Sequence, residues 1–240
     1  MTVSGETIDF GPCAFMDTYD PATVFSSIDH QGRYAYANQP AIGQWNLARL
    51  GETLIPLIDP SVDTAIELAN VIIKAYGERF QAYWLSGMRA KIGLTNEEDG
   101  DLELIQSLLA TMQQQEADFT LTFRRLAALA ADEDVTDFAA TFNDPQAAAP
   151  WLERWRERLA RDPQTPAART AAMRKVNPAF IPRNHRIEQA IEAAVDDGDF
   201  SLFEALLKVL ATPYEDQPAF APYGEPPLPA ERVLQTFCGT

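Results

Sequence analysis

An aspartate that follows a short apolar run is the first side chain in this sequence that could do chemistry. Thr7 and Ile8 lead into Asp9, which is followed by Phe10 and Gly11. A short strand that ends in a turn can hold a carboxylate rigidly at the edge of a cleft. Ionised at pH 7, this carboxylate is a hard oxygen ligand suited to Mg²⁺, and the ion can bridge phosphate oxygens. Three-residue matches also arise by chance, so an aspartate in an ordinary turn is the alternative interpretation.

The composition limits the classes of protein to which the chain can belong. Its 240 residues are 46% hydrophobic, which is enough for one large or two modest domains. The net charge of −16 argues against non-specific binding to nucleic acid or to anionic membranes, since both require excess Lys and Arg. No apolar run approaches the ~18 residues needed to cross a bilayer, and no secretory signal is recognisable. With only two cysteines, a disulfide scaffold is excluded and a cytoplasmic setting is expected.

The elements that must position Asp9 are predicted to be mainly helical. A β-hairpin remnant is expected over 2–10, followed by a loop-like segment that runs to residue 40. Apolar residues at helical spacing predict one helix from Pro40 to Ile58 and a longer one over 62–84. Further helices are predicted over 101–131 (one or two), 135–142, Pro150 to Leu159, Asn184 to Val195 and Phe200 to Leu210.

Prolines and capping residues predict where these helices are interrupted. Asp162-Pro163 and Thr165-Pro166 are interpreted as breaks in the helical pattern. Asn184 and Asp199 are candidate caps of the last two helices. The proline-rich tail over 213–229 is predicted to be extended and pinned across a surface, because no regular helix tolerates that density of proline.

Two charged stretches are interpreted as surface features. The acidic run over 97–103 lacks the order of ligands in a calcium-binding loop, so a solvated loop between helices is predicted. The basic stretch over 154–161 surrounds two tryptophans, a combination that can bind nucleic acid. In so acidic a chain its arginines are predicted to pair with Glu153 and Glu157, one helical turn away. These arginines are Arg154, Arg156, Arg158 and Arg161.

His30 and His185 are the only two histidines. Neither has a cysteine or a second histidine within one turn of helix, so the spacing does not indicate a metal site. His30 is predicted to be a hydrogen-bonded loop residue rather than a general base. His185 follows Asn184 near a helix start, where a structural role is predicted.

Several longer motifs occur in a fixed order along the chain. Together they resemble the selenoprotein O family of protein adenylyltransferases, which have a kinase-like fold. The resemblance extends over essentially the whole chain and is strongest in 6–58 and 177–240. The motifs are GPCAFMDTYDP (11–21), DHQGRYAY (29–36), NQP (38–40), WNLARL (45–50), NP (177–178), IPRNH (181–185), PY (213–214) and TFCGT (236–240).

The resemblance implies a fold and a division of the chain. The expected fold is mainly α, namely the C-terminal lobe of a protein-kinase-like fold with a helical C-terminal extension. Residues 1–40 would carry the hairpin remnant, the Asp-Phe-Gly turn and a loop like an activation segment. Residues 41–175 would form the helical lobe, and residues 176–240 the helical extension with its proline-rich tail.

The resemblance also implies an activity and its cofactors. Members of the family transfer AMP from ATP to hydroxyl side chains of proteins, so Mg²⁺, ATP and protein substrates are expected. The metal-binding role, and through it the binding of the nucleotide phosphates, falls on Asp9. The resemblance matches Met1 to the methionine that closes the segment with the family's catalytic base and second metal-binding residue. Neither of these two residues is therefore expected within these 240 residues.

Two cysteines invite a redox interpretation. Cys238 lies where some relatives carry selenocysteine or cysteine, and an exposed thiol near the chain end suits redox chemistry. A disulfide between Cys13 and Cys238 would tie the tail to the loop that follows Asp9. Two unrelated reduced thiols are the alternative, because disulfides are rare in cytosolic proteins.

Several elements of the family's active site are not matched in this sequence. The glycine-rich loop, the lysine–glutamate pair and the phosphate-binding arginines are not found in the sequence. The 240 residues alone are therefore expected to be inactive, and to dimerise or to bind the missing lobe through apolar surface near residues 1–40. A non-catalytic helical module that binds a protein partner is the alternative function.

Overall fold

The computed structural model describes residues 14–131 and 134–236, and the structural statements below refer to these residues. Within them the chain is mainly helical, which confirms the predicted class. The following predictions concern residues outside the described ranges: the hairpin over 2–10 and the roles of Asp9, Cys13 and Cys238.

Nine α-helices account for most of the regular structure in the described part of the chain. The only β-type pairing found there is an isolated antiparallel bridge between Thr18 and Asp118. Among the described residues, none of the helices combines the length and the apolar character required to span a bilayer. The helices are α1 (Gln39–Ile58), α2 (Val62–Lys91), α3 (Asp101–Gln114), α4 (Phe119–Leu129), α5 (Thr136–Ala139), α6 (Ala149–Leu159), α7 (Pro166–Val176), α8 (Asn184–Asp196) and α9 (Ser201–Leu210).

Most helices lie where the sequence pattern predicts them, but α7 does not. Thr165-Pro166 was interpreted as a break, whereas it is a helix start. The Thr165 side chain accepts a hydrogen bond from the Ala168 N–H (3.3 Å), and Pro166 occupies the first helical position. Proline is tolerated there because an N–H group at the first helical position has no acceptor within the helix.

Three other local predictions need correction. Asn184 is the first residue of α8 rather than its cap, and Arg183 occupies the cap position without a capping side-chain bond. Asp199 is not the cap of α9 either, since Phe200 occupies that position, although the Asp199 carboxylate accepts a hydrogen bond from the Ser201 N–H (2.9 Å).

The proline-rich tail is not extended throughout, because short 3₁₀ turns form at Pro218–Tyr223 and Pro229–Glu231. Both turns begin with proline, whose fixed φ suits a first helical position.

The described residues fall into two compact units. Pro21–Ser86 belongs to one unit, which holds α1 and most of α2. Ala14–Asp20 and Gly87–Thr236 belong to the other, which holds the remaining helices.

Two tryptophans of α6 organise the core of the larger unit. The indole N–H of Trp155 donates to the Ile92 carbonyl and that of Trp151 to the Leu104 carbonyl, each at 2.8 Å. The two rings stack with centroids 5.8 Å apart. Both polar ends are thereby satisfied, so the rings can be buried without leaving an unpaired donor. The larger unit also contains several fully buried apolar side chains: Ile105, Leu108, Met112, Phe123, Leu126 and Met173.

Candidate functional site

The described residues nearest in sequence to Asp9 lie in the segment Ala14–Asp20, which is attached to the larger unit. Asn184 holds this segment through two bonds to Phe15, from the Phe15 N–H (3.2 Å) and to the Phe15 carbonyl (2.8 Å). Further along, the Tyr19 N–H donates to the Ala117 carbonyl at 2.9 Å. These contacts hold the segment Ala14–Asp20 against the starts of α4 and α8.

A buried arginine lies beneath this attachment. Arg183 is 1% exposed in its side chain and makes ion pairs with both Asp17 and Asp118. It also donates to the Gly224 carbonyl at 2.9 Å. Burial by itself would lower the pKa of Arg183, but the two carboxylates outweigh it and raise the pKa above its ordinary value. One guanidinium thus joins the segment after Asp9, the start of α4 and the tail.

Asp118 has a second role at this point. Its carboxylate accepts a hydrogen bond from the Leu121 N–H (2.8 Å) and so caps α4. A capping carboxylate satisfies one free N–H of the helix and lies at the positive end of the helix dipole. Asp118 is therefore held from two sides, by the helix and by Arg183.

A cleft of about 420 Å³ opens above the buried arginine. Its lining combines apolar side chains with charged groups of both signs, namely four carboxylates and two guanidinium groups. The tail forms one wall of the cleft, and α4 and the start of α8 contribute to the others. The charged side chains that line it are Asp17, Glu116, Asp118, Glu225, Arg125 and Arg232.

Glu116 introduces backbone strain at the edge of the cleft. Its φ of 51° lies in the left-handed region, and it is the only such non-glycine residue among those described. Asn143 donates to the Glu116 carboxylate at 3.1 Å, which helps to hold this conformation. Strained residues persist only where the surroundings over-determine them, and they cluster at functional sites.

His185 is the most unusual side chain of the cleft. It is the second residue of α8, is 2% exposed, and neither ring nitrogen has a hydrogen-bond partner among the described residues. Burial lowers its pKa, and the nearby Arg186 lowers it further, although Asp17 and Glu231 oppose the change. His30, in contrast, is an exposed loop residue.

We expect His185 to make the fold sensitive to mild acid. Its pKa is lowered in the folded protein, so below pH ~6.5 the unfolded chain takes up a proton that the folded chain does not. Stability should fall as the pH drops through that range, by about 1.4 kcal/mol for each pH unit over which only the unfolded state is protonated. Urea unfolding between pH 7.5 and 5.5 measures this slope.

A comparison of His185→Phe with the wild type tests this expectation. His185→Phe should flatten the loss of stability on acidification. Proton NMR of the His185 imidazole provides a direct check. A His185 ring that titrates at or above pH ~6.5, the ordinary value for histidine, would contradict the expectation.

The sequence predicted that the acidic run over 97–103 is a solvated loop, but one of its carboxylates is buried. Asp101 is fully buried at the start of α3 and accepts hydrogen bonds from the Arg89 Nε (2.8 Å) and the Arg158 Nε (2.6 Å). Burial would raise the pKa of Asp101, but the bonds from Arg158, from the Glu98 N–H and from Arg89 outweigh it and lower the pKa.

Three arginines of the basic stretch over 154–161 also pair differently from the prediction. They form no ion pair with Glu153 or Glu157. The partners of Arg154, Arg158 and Arg161 lie instead on the segment over 97–103. The pairs are Arg154 with Glu103 (2.9 Å), Arg158 with Asp101 (2.6 Å) and Arg161 with Glu98 (2.9 Å).

Sequence reasoning missed the cleft because its central contacts are long-range. Arg183 is 166 residues from Asp17 and 65 from Asp118. The only local signal was the cluster of polar residues at the predicted start of α8, which was interpreted as a cap. No spacing rule links such distant positions, so the pairing becomes visible only in three dimensions.

The described residues do not assemble a metal site. No group of three or more His, Cys, Asp or Glu side chains in them is arranged to hold a metal ion. Asp17 and Asp118 are already engaged by Arg183. The cleft can therefore form hydrogen bonds and ion pairs, while the metal-binding role predicted for Asp9 concerns a residue outside the described part.

Proteins named as nucleotidyltransferases match this chain from end to end. The protein nucleotidyltransferase YdiU of Rhizobium rhizogenes is 80% identical over 241 residues, which cover 100% of this chain and 48% of the relative. Those of Rhizobium meliloti and Agrobacterium fabrum are 68% and 59% identical, and each match covers 100% of this chain and 49% of the relative.

The family described as "Protein adenylyltransferase SelO" matches residues 1–211. The chain belongs to this family, which confirms the resemblance seen in its motifs. It spans about half the length of the curated relatives that it matches.

Proposed function

We propose that this chain contributes to the transfer of AMP from ATP to Ser, Thr or Tyr hydroxyls of proteins. The observation that carries the proposal is the 80% identity, over the whole chain, to a protein nucleotidyltransferase. The Asp-Phe-Gly triplet supports it, because Asp9 is a hard oxygen ligand suited to Mg²⁺ and so to the phosphates of ATP. In this proposal the helices form the C-terminal lobe of a kinase-like fold.

We expect the 240 residues alone to be inactive. Transfer from a triphosphate requires several positive groups, and usually two metal ions, around the phosphates. Asp9 is the only metal ligand of the family pattern found in the sequence, and the described residues add no metal cluster. Incubation of the purified chain with Mg²⁺ and labelled ATP should therefore give no transfer of AMP to itself or to added proteins.

The proposal is tested in a chimera in which this chain replaces its counterpart in the Rhizobium rhizogenes relative. The chimera should transfer AMP to protein. Asp9→Asn should reduce the rate by about 100-fold or more, because loss of even an outer-shell partner of a metal site costs roughly 10- to 100-fold. Incorporation of label from α-labelled ATP measures the rate.

The matched control is Glu6→Gln, which neutralises a carboxylate three positions earlier. It should leave the rate of AMP transfer within about twofold of the unmodified chimera. A titration of Mg²⁺ and ATP should show weaker nucleotide binding in Asp9→Asn only. Equal rates of AMP transfer in the Asp9→Asn and Glu6→Gln chimeras would contradict the proposed role of Asp9. A chimera without substitutions that folds but does not transfer AMP would contradict the proposed function.

A non-catalytic module that binds a protein partner is the second candidate. The large apolar side chains exposed on α1 and α2 favour it, since such surfaces mark sites of interaction. The chimera separates the two candidates, because an interaction module would bind its partner without supporting AMP transfer.

A further inference from the structure

The smaller unit exposes an unusual amount of apolar surface. Leu57, Ile72 and Tyr83 are 81%, 70% and 79% exposed, respectively. Monomeric proteins rarely expose contiguous apolar patches larger than a few hundred Å², and larger ones mark interaction sites. The exposed apolar residues of α1 and α2 are Trp45, Leu50, Leu54, Leu57, Ile58, Val62, Ile66, Leu68, Val71, Ile72, Phe80 and Tyr83, called here the α1–α2 face.

The composition of α1 is that of a buried helix. None of its 20 residues is buried, yet Arg49 and Glu52 are its only charged residues and they pair with each other at 2.6 Å. A helix that is apolar on most sides belongs inside a protein. The contacts of α1 with α2, such as the bond from Gln44 to the Ile73 carbonyl (2.9 Å), leave most of that surface open.

Apolar residues cover a larger part of the surface of α2 than the part that is buried. Ala65 and Ala69 are buried, whereas Leu68, Val71 and Ile72 on the adjoining flank are exposed. Residues three and four apart share a helix face, so Leu68, Val71 and Ile72 form one continuous strip. This strip continues the exposed surface beyond the side that packs in the unit.

We propose that the α1–α2 face is the docking surface for the half of the family's polypeptide that has no counterpart in this chain. The matches cover the full length of this chain but only 48–49% of the length of each relative. A segment of about equal size therefore accompanies these helices in the relatives, and a face of this size and apolar character is what such a segment would cover.

A second copy of this chain is the less favourable occupant. Each chain carries a net charge of −16, so pairing two copies brings together two strongly acidic bodies. Within α1 the charges of Arg49 and Glu52 pair with each other, so this helix adds no net cation to offset that repulsion. The large apolar side chains of the α1–α2 face instead suit a largely apolar partner surface.

The proposal is tested by mixing this chain with a separately produced polypeptide, namely the part of the Rhizobium rhizogenes relative left uncovered by the match. The two are also co-expressed. Light scattering after gel filtration should show a one-to-one complex. Leu57→Glu and Ile72→Glu should each weaken it by about tenfold or more, because a charge placed in an apolar interface is left unpaired.

Phe203→Glu is the matched control, since Phe203 is an exposed apolar residue (48%) of α9, outside this face. It should leave the affinity within about twofold, and circular dichroism should show that all three variants keep their helices. The absence of a complex, equal weakening by all three variants, or a homodimer that Leu57→Glu disrupts would each overturn the proposal. Binding is read without activity, so its failure is distinct from failure of the proposed AMP transfer.

Discussion

Replacing Arg183 by methionine should lower the free energy of unfolding by about 3–5 kcal/mol. Arg183 is buried and compensates the charges of Asp17 and Asp118, which are themselves 21% and 11% exposed in their side chains. Methionine preserves much of the side-chain volume but leaves two neighbouring carboxylates without their cation. It also removes the donor to the Gly224 carbonyl. Urea unfolding at pH 7.5, monitored by circular dichroism, measures the change.

Two further variants identify the cause. Arg154→Met removes an exposed ion pair with Glu103 and should cost no more than about 1 kcal/mol. Asp118→Asn added to Arg183→Met should restore part of the lost stability, because asparagine still caps α4 while one uncompensated charge disappears. If Arg183→Met and Arg154→Met were equally mild, Arg183 would not hold the cleft together.

The helices of this fold could be predicted largely from the sequence because helical burial leaves a periodic pattern. The apolar residues of α1 and α2 recur at helical spacing, and both helices lie where that pattern places them. The start of α7 was missed because proline after threonine can either break a helix or begin one. Which of the two outcomes occurs depends on whether the residues after the proline can pack on another part of the fold. The local sequence does not contain that information.

The candidate site could not be predicted in the same way, because its contacts join distant residues. Arg183 was not singled out, although it is the cation that connects Asp17 to Asp118. Apolar surface was expected near residues 1–40, a range that lies partly outside the described residues. Within its described part Val24, Ile28 and Tyr34 are exposed, and a further, larger exposed set lies on α1 and α2. A periodic apolar pattern indicates which side of a helix must be covered, but it does not reveal what covers it.

The acidic run over 97–103 shows why local charge patterns mislead. Its composition is that of a solvated loop, and Asp99 is indeed exposed. Asp101, two positions later, is fully buried because Arg158 comes from α6, 57 residues further along the chain. A burial of this kind is possible only when a cation arrives from elsewhere in the fold.

Replacing Asp101 by asparagine should destabilise the protein by about 3–5 kcal/mol. Asparagine keeps the shape of the side chain but removes the charge that compensates Arg89 and Arg158, whose side chains are only 12% and 4% exposed. Asp99→Asn, at an exposed position of the same loop, should change the free energy of unfolding by no more than about 0.5 kcal/mol. Urea unfolding at pH 7 compares the two variants.

The pH dependence should show that the charge of Asp101 is responsible. Its pKa is lowered in the folded protein, so its contribution to stability is complete above the unfolded pKa of about 3.9 and is lost as the pH falls through the lower folded value. The difference in stability between wild type and Asp101→Asn should therefore shrink in acid and be constant from pH 5 to 8. Adding Arg158→Met to Asp101→Asn should cost less than the sum of the two single changes, because each removes the partner of the other. Additive losses would mean that the two side chains act independently and that packing, rather than the buried ion pair, stabilises the junction of α3 and α6.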